Sequence, residues 1–269
     1  MLICVLIAKV VEELTVGNES ILITGAGSGM GRLAAQNMAA AGYQVAALDV
    51  NEKGLLETAE GFQNIRTFQT DVTDYQSVLA AVEETETKLG PIRRVYNAAA
   101  IMPLGTIAEV DAEVFHRVMA INYNGVVNAT KAVLPHLLSR NQGEIINFAS
   151  IAGWLPTIYM SAYDASKFAV VAFTEVLHFE NIHNNLKIAC VCPPPVKTPL
   201  LQQARDTVWP KVFDQGTHIE PEEVLTAIDK SLEKGELFVF PGKGTKSIWR
   251  LRRWFPNMLW KNLLKVEGR

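Results

Sequence analysis

Short apolar, β-branched runs alternate along the chain with longer stretches whose apolar positions recur at helical spacing. The short runs predict strands over 20–24, 44–49, 65–71, 93–98, 144–150, 186–192 and 237–240. The longer stretches predict helices over 31–41, 52–61, 75–89, 111–139, 163–181 and 221–234. Strand and helix in strict alternation build βαβ units, so the expected fold class is α/β: one doubly wound, parallel, seven-stranded sheet in a single domain. There is no internal repeat and no low-complexity linker. The pattern changes at both ends, which divides the chain into an apolar N-terminal extension (1–17), the domain itself (18–242) and an amphipathic C-terminal tail (243–269).

Composition narrows the picture a little. A chain of 269 residues with 49% hydrophobic and 20% charged residues is that of an ordinary globule able to bury its own core. The net charge of −3 gives nucleic acid no reason to bind the body. Three Cys make no disulfide framework; Cys190 and Cys192 alternate in an apolar run and are expected to be buried on one face of a strand, and a reducing cytoplasm suits them. The five His are scattered and no metal site is expected. The apolar stretch from Met1 to Val11 is short and carries Lys9, without the basic leader or small-residue cleavage site of a signal peptide. An extra strand, a surface anchor and an over-extended start all remain open for it.

The first strand runs into Thr24-Gly25-Ala26-Gly27-Ser28-Gly29-Met30-Gly31. Glycines there let the backbone turn tightly and approach a pyrophosphate, while the helix that follows offers its N-terminal NH groups and positive dipole end. The second strand ends in Asp49, 18 residues beyond Gly31, where a carboxylate can bind the ribose hydroxyls and repel a 2′-phosphate. The expected cofactor is therefore NAD rather than NADP, with Arg32 pointing away along its helix. Further on, Tyr163 and Lys167 stand four residues apart, one turn of helix, so both side chains leave the same face. A Lys ammonium favours the phenolate of a nearby Tyr, although an ordinary half-exposed helix can also carry such a pair.

These motifs occur in the order found in the short-chain dehydrogenase/reductase family, and from Ile21 to Gly242 the chain resembles it. Thr24–Gly31 is similar to the family's cofactor loop, with Gly25, Ser28, Gly29, Met30 and Gly31 as its binding positions. Asp71-Val72 stands where the family contacts adenine, and Asn97-Ala98-Ala99-Ala100 where it carries Asn-Asn-Ala-Gly. Asn122, Ser150 (thirteen residues before Tyr163), Tyr163 and Lys167 match the catalytic set. Pro193-Pro194-Pro195-Val196-Lys197-Thr198 matches the nicotinamide-side loop at Pro193, Val196 and Thr198, but Pro194 replaces a glycine and stiffens it. Ala98 and Ala100 are a second departure, removing an amide that steadies the sheet and adding a methyl beside the cofactor.

The resemblance implies hydride transfer between an alcohol or carbonyl carbon and the nicotinamide. Tyr163 would be the general base, and the acid in reverse. Lys167 would lower its pKa and bind the nicotinamide ribose, Ser150 would donate to the substrate oxygen, and Asn122 would hold a water linking Lys167 to solvent. Met102, Ala152, Trp154, Tyr159, Leu200 and Trp209 are expected to line an apolar substrate pocket, with 200–216 as its lid, which points to a lipophilic and secondary alcohol. By the same resemblance a homodimer or homotetramer forms through the helices at 111–139 and 163–181.

The tail from Lys243 to Arg269 holds eight Lys or Arg and a single acid, Glu267, interleaved with Trp249, Trp254, Phe255 and Trp260. Pro256 separates two short helices. Such a tail suits peripheral contact with a membrane surface, or packing over the pocket or on a neighbouring subunit. The localisation expected is cytoplasmic with peripheral membrane association. Two rival readings remain: a non-redox enzyme on the same scaffold, such as a dehydratase or epimerase, and an NAD(H)-sensing binding protein.

Overall fold

The computed structural model describes residues 18–205, 207–216 and 218–269; the N-terminal extension 1–17 lies outside the described residues. Seven strands occur among the described residues: β1 (Ser20–Thr24), β2 (Gln44–Asp49), β3 (Ile65–Gln69), β4 (Ile92–Asn97), β5 (Gly143–Phe148), β6 (Leu186–Val191) and β7 (Phe238–Val239). They form one sheet in the order β3-β2-β1-β4-β5-β6-β7. β1 runs parallel to both β2 and β4, and the β2–β3 and β6–β7 pairs are parallel as well. Every residue of β1 is buried, as a central strand covered on both faces requires. The strand order reverses beside β1, the place where doubly wound folds bind their ligands.

The helices are α1 (Gly29–Ala40), α2 (Glu52–Ala59), α3 (Tyr75–Lys88), α4 (Ala112–Met119), α5 (Gly125–Arg140), α6 (Ser161–Glu180), α7 (Pro199–Arg205), α8 (Val212–Gln215), α9 (Pro221–Lys234), α10 (Thr245–Trp254) and α11 (Pro256–Glu267). Packing gathers the chain into two compact units. The first runs through Ala98 and takes in Asn128–Ile145 and Asn184–Leu186; the second holds Ala99–Val127, Ile146–His183 and Lys187–Arg269.

In the first unit, Asn51 and Asp74 cap α2 and α3 by accepting from Gly54 N and Gln76 N. Glu144 lies buried and pairs with Arg94 at 2.5 Å, while Arg140 makes a two-pronged bond to Glu86 at 2.8 Å on each arm. β3 stops at Gln69, two residues before the expected end. Asp71 Oδ1 takes the N–H and the hydroxyl of Thr73 and turns the chain there.

The stretch after β4 differs from expectation in its helices. The single helix predicted over 111–139 is α4, a π turn at Ala120–Asn124, and α5. Asn122 lies buried in that turn. In α9 the expectation holds to the residue. Glu220 and Glu223 form a capping box, Pro221 fills the first position, and Gly235 ends the helix at φ 67°. The tail forms the two expected helices, and Pro256 opens the second. Its inner face packs on the second unit. Trp249 stacks on Phe240 at 5.4 Å and meets Trp154 edge-on, Leu263 is buried, and Glu267 accepts from Val212 N at 3.0 Å.

Candidate active site

The glycine loop belongs to the first unit. Gly25 and Gly29 adopt φ values of 70° and 52°, the left-handed region that glycine enters without strain. A Cβ on Gly31 would lie 2.7 Å from the Gly25 carbonyl carbon and closer still to its oxygen. A Cβ on Gly27 would lie 2.8 Å from the Asp49 carboxyl carbon. The loop is thus closed on itself by backbone alone. α1 begins at Gly29, so the N–H groups of Gly29, Met30 and Gly31 have no acceptor within the helix, and the Ser28 side chain does not cap them. Asp49, at the end of β2, accepts from Gly27 N through Oδ2 and from Asn51 N through Oδ1, both at 2.9 Å. Each oxygen keeps a lone pair for a hydroxyl. A side-chain-free cradle, three first-turn N–H groups that neither the helix nor the Ser28 side chain satisfies, and a carboxylate at the strand end fit a dinucleotide.

Arg32 corrects the sequence reading. It does not run away along α1 but reaches back over the loop, donating to Gly27 O at 2.5 Å and to Thr58 Oγ1 at 3.1 Å and pairing with Glu57 at 2.8 Å. The acceptors on α2 draw it there, and α2 comes that close because it has glycine at position 54. Elsewhere in this unit, Asp71 is held in its turn, Val72 O accepts from Asn128, and buried Asn97 donates to Thr130 Oγ1 at 3.3 Å. Ala98 N donates to Thr24 O at 3.3 Å, so backbone ties β4 to the loop where the family's amide is missing.

The proton-handling groups lie in the second unit. Ser150 follows β5, its Oγ accepts from Ala152 N at 3.1 Å, and its hydroxyl lies near enough to Tyr163 to favour the phenolate. Tyr163 and Lys167 sit one turn apart on α6, both buried, with Nζ 5.5 Å from the centre of the Tyr163 ring. Nζ donates to Phe148 O at 2.7 Å. Burial lowers Lys167 to about 8, against the smaller raising influence of Cys190 and Cys192. Burial likewise drives the Tyr163 phenol above its ordinary value; the nearby Ser150 hydroxyl pulls it back only in part, and neighbouring Asp164 adds to the rise. Desolvation therefore outweighs the activation expected from Lys167 in this state. The Asn122 side chain is also committed. Oδ1 accepts from Ile101 N at 2.8 Å, and Nδ2 donates to Ile101 O at 2.9 Å and to Ser166 Oγ at 3.1 Å. Its amide clamps the segment after β4 to α6.

An apolar cluster surrounds Tyr163. Met102, Leu104, Ala152, Met160, Ala204 and Phe213 are buried with it, and Leu200 and Trp209 pack against them. Four of the six expected pocket residues, Met102, Ala152, Leu200 and Trp209, are thus gathered beside the phenol. Trp154 is not. It packs with Phe238 and Phe240 in a second cluster, and its Nε1 donates to Cys192 Sγ at 3.2 Å, because the indole N–H needs a partner that the first cluster lacks. Tyr159 holds a strained φ of 72°; its carbonyl accepts from Gly105 N and its ring lies under Arg269. On the far side of the loop, Pro193 O accepts from Ile151 N, Val196 bridges to Ile219, and Thr198 O accepts from Leu201 N and Gln202 N of α7. Sequence reasoning placed Phe213 in the lid but missed Met160 and Asp164. Met160 lacks a periodic signal, while Asp164 stands inside the Tyr-to-Lys motif in plain view.

Residues 19–209 match the family model for short chain dehydrogenases. The 2-(R)-hydroxypropyl-CoM dehydrogenase of Xanthobacter autotrophicus is 34% identical over 215 residues, covering 77% of this chain and 85% of that protein. The 17-beta-hydroxysteroid dehydrogenase 13 of Rattus norvegicus is 27% identical over 262 residues, covering 94% of this chain and 85% of its own. Among solved structures, a short chain dehydrogenase/reductase from Burkholderia phymatum in complex with NAD superimposes with a TM-score of 0.80 at 25% identity, over 91% of this chain and 96% of that one. An actinorhodin polyketide ketoreductase with NADPH gives 0.77 at 28% identity, over 85% and 97%. By fold, by motif and by descent, the chain belongs to the short-chain dehydrogenase/reductase family of oxidoreductases, which act on CH–OH groups with a nicotinamide cofactor.

Proposed function

We propose that the chain is an NAD-dependent dehydrogenase that interconverts a lipophilic, secondary alcohol and its ketone. The observation that carries this reading is the buried Tyr163 set in an apolar cluster, with Lys167 buried one turn away on the same helix and Ser150 near the phenol. The bound nicotinamide supplies the hydride acceptor, or the donor in reverse. Ser150 orients the substrate oxygen, Tyr163 Oη takes the alcohol proton as the C–H bond gives up its hydride, and Lys167 binds the nicotinamide ribose and passes the proton on. Asn122 acts by holding Ile101 and Ser166 in place. The Gly25–Gly31 loop takes the pyrophosphate, Asp49 the adenosine ribose, and Asp71-Val72 the adenine. NADH formation over a panel of lipophilic secondary alcohols tests the reading. Tyr163→Phe is expected to lose roughly a hundred- to ten-thousand-fold in kcat while NADH binding persists. Retained turnover removes Tyr163 from its role, and NADH binding with no alcohol or ketone turned over supports the binding-protein rival.

A second cofactor reading has one observation in its favour: the Arg32 guanidinium lies on Gly27 O, close to where a 2′-phosphate would meet Asp49. Its charge is already paired with Glu57, so NAD remains the reading adopted. Comparison of kcat/KM with NAD and NADP decides between them.

We further infer that the tail rests on an anionic membrane surface. Trp254 and Phe255, 74% and 57% exposed at the corner between α10 and α11, are flanked by exposed Arg250 and Arg253. Aromatic rings beside cations suit the lipid–water interface. Among the described residues no helix is long and apolar enough to cross a membrane. Flotation with phosphatidylserine vesicles is expected for the full chain and not for Trp254→Ser/Arg253→Glu. Exposed Phe168, Val176 and Phe179 on α6 suit a second copy of the chain, with light scattering as the test for a dimer or tetramer.

A further inference from the structure

Asp164 has no part in the reaction as described, yet it is the residue next to Tyr163 and is buried. Its Oδ2 accepts from Thr157 N at 2.7 Å, seven residues back, and its Oδ1 has no hydrogen-bond partner among the described residues. A buried carboxylate is held by several donors or by a cation; this carboxyl group has one backbone N–H. The ionisable groups around it supply no counter-charge. Tyr163 precedes it. Lys167, three residues on, is turned to Phe148 O, with the thiols of Cys190 and Cys192 beyond. Among the described residues, the turn 156–160 offers Tyr159, whose hydroxyl accepts from Arg269; the π turn offers Tyr123, whose ring meets Phe173; and α4, which packs on α6, leaves Glu113, His116 and Arg117 exposed. Burial accordingly raises Asp164 to about 8.

Thr157 lies in the segment that carries strained Tyr159 and buried Met160. That segment is pinned at three points: Gly105 N on Tyr159 O, Asp164 N on Met160 O, and the Asp164 carboxyl on Thr157 N. Strain of the kind seen at Tyr159 persists only where the surroundings fix it. The Asp164 side chain is the one pin that also bears on Tyr163, since an ionised carboxylate there opposes the phenolate.

We propose that Asp164 is a positioning residue that works as a neutral carboxylic acid, holding the substrate-side turn through Thr157 N and keeping a second negative charge away from the Tyr163 phenolate. This rests on Tyr163 acting as the proton-transfer group, and two measurements separate a failure of that reading from a failure of this one. The first needs no substrate. The infrared carbonyl stretch of a protonated carboxylic acid is expected in the full-length protein at neutral pH and absent from Asp164→Asn. Spectra without a band that depends on Asp164 overturn the proposal whatever the enzyme turns over. The second uses the alcohol found in the panel. With the charge removed and the acceptor kept, the Asp164→Asn rate of oxidation is expected to rise at a pH lower than in the parent, while KM stays within a few-fold. Asp164→Leu, which lacks the acceptor, is expected to raise KM about tenfold or more through the loosened turn. Superimposable pH profiles for parent and Asn variant overturn the proposal, and the conservative Asn variant keeps the test available if the Leu variant does not fold.

Discussion

Lys167→Met separates what the lysine does for chemistry from what it does to stability. The ammonium is buried and makes one bond, to Phe148 O at 2.7 Å, and its pKa falls from 10.5 to about 8. A fall of that size corresponds to about 3 kcal/mol of preference for the neutral form, at about 1.4 kcal/mol per unit. The sign follows from proton counting. Between about 8 and 10.5 the unfolded chain binds more protons than the native one, so stability rises with pH through that window. Below it the native state bears the full penalty. Met removes the charge at nearly the same volume and gives up a charge-assisted hydrogen bond of about 1.5–3 kcal/mol. At pH 7 the two effects nearly offset, and the variant is expected to unfold within about 1 kcal/mol of the parent. From pH 8 to 10.5 the parent is expected to gain about 3 kcal/mol on the variant. Urea unfolding of both proteins across that range measures the difference directly, and groups common to both cancel. Alcohol oxidation by the variant is expected to fall by about a hundredfold or more. Parallel stability curves would refute the reasoning, because the lysine would then not be desolvated in the fold.

Three further outcomes are expected. Gly31→Ala places a methyl against the Gly25 carbonyl and must displace the start of α1, at about 1–3 kcal/mol in urea unfolding and a rise of about tenfold or more in the NADH dissociation constant; Gly61→Ala, at φ 82° with nothing within 4 Å, should bind NADH as the parent does. Asn122→Ala strands both polar groups of Ile101 and should lower stability by about 2–4 kcal/mol in the same assay, a change under about 0.5 kcal/mol counting against the clamp. Asp164, raised from 3.8 to about 8, gives stability that is complete below the lower value and lost as pH rises to the upper one; Asp164→Asn should flatten that fall, as paired urea curves from pH 4 to 8 would register.

The sheet was readable because each strand is a short β-branched run with its own punctuation. β1 and β2 begin and end where their apolar runs do, and α9 is bounded by Pro221 and Gly235, residues whose backbone chemistry leaves little choice. What sequence hid was decided by long-range partners. The π turn exists within a stretch of unbroken helical pattern, and the Asn122 amide there reaches 21 residues back to Ile101. Arg32 is drawn back by Glu57 and Thr58, which are neighbours only once α2 packs on the loop. Trp154 was assigned to the pocket by its position between Ser150 and Tyr163, but its N–H finds Cys192, just past the end of β6. The lid held two short helices, α7 and α8, too brief to announce themselves by period. The catalytic positions were legible for the opposite reason: their spacing is set within single elements, thirteen residues from Ser150 to Tyr163 and one turn from Tyr163 to Lys167.

Burial gives the Tyr163–Lys167 pair a different resting state from the one that proximity alone suggests. Each group is pushed toward its neutral form, the phenol upward and the ammonium down to about 8, and the two are separated by a ring-to-nitrogen distance of 5.5 Å rather than joined by a hydrogen bond. In this state Tyr163 is a better proton donor than base, and Lys167 can release its proton near neutral pH. A site so arranged is poised to protonate a carbonyl oxygen, and it becomes a base only when added positive charge or bonds to the phenolate offset the cost of burial. The nearby Ser150 hydroxyl already offsets part of that cost. A charge on Asp164 would act against it, which is why the protonation state of a residue outside the reacting set bears on the direction in which this site runs most readily.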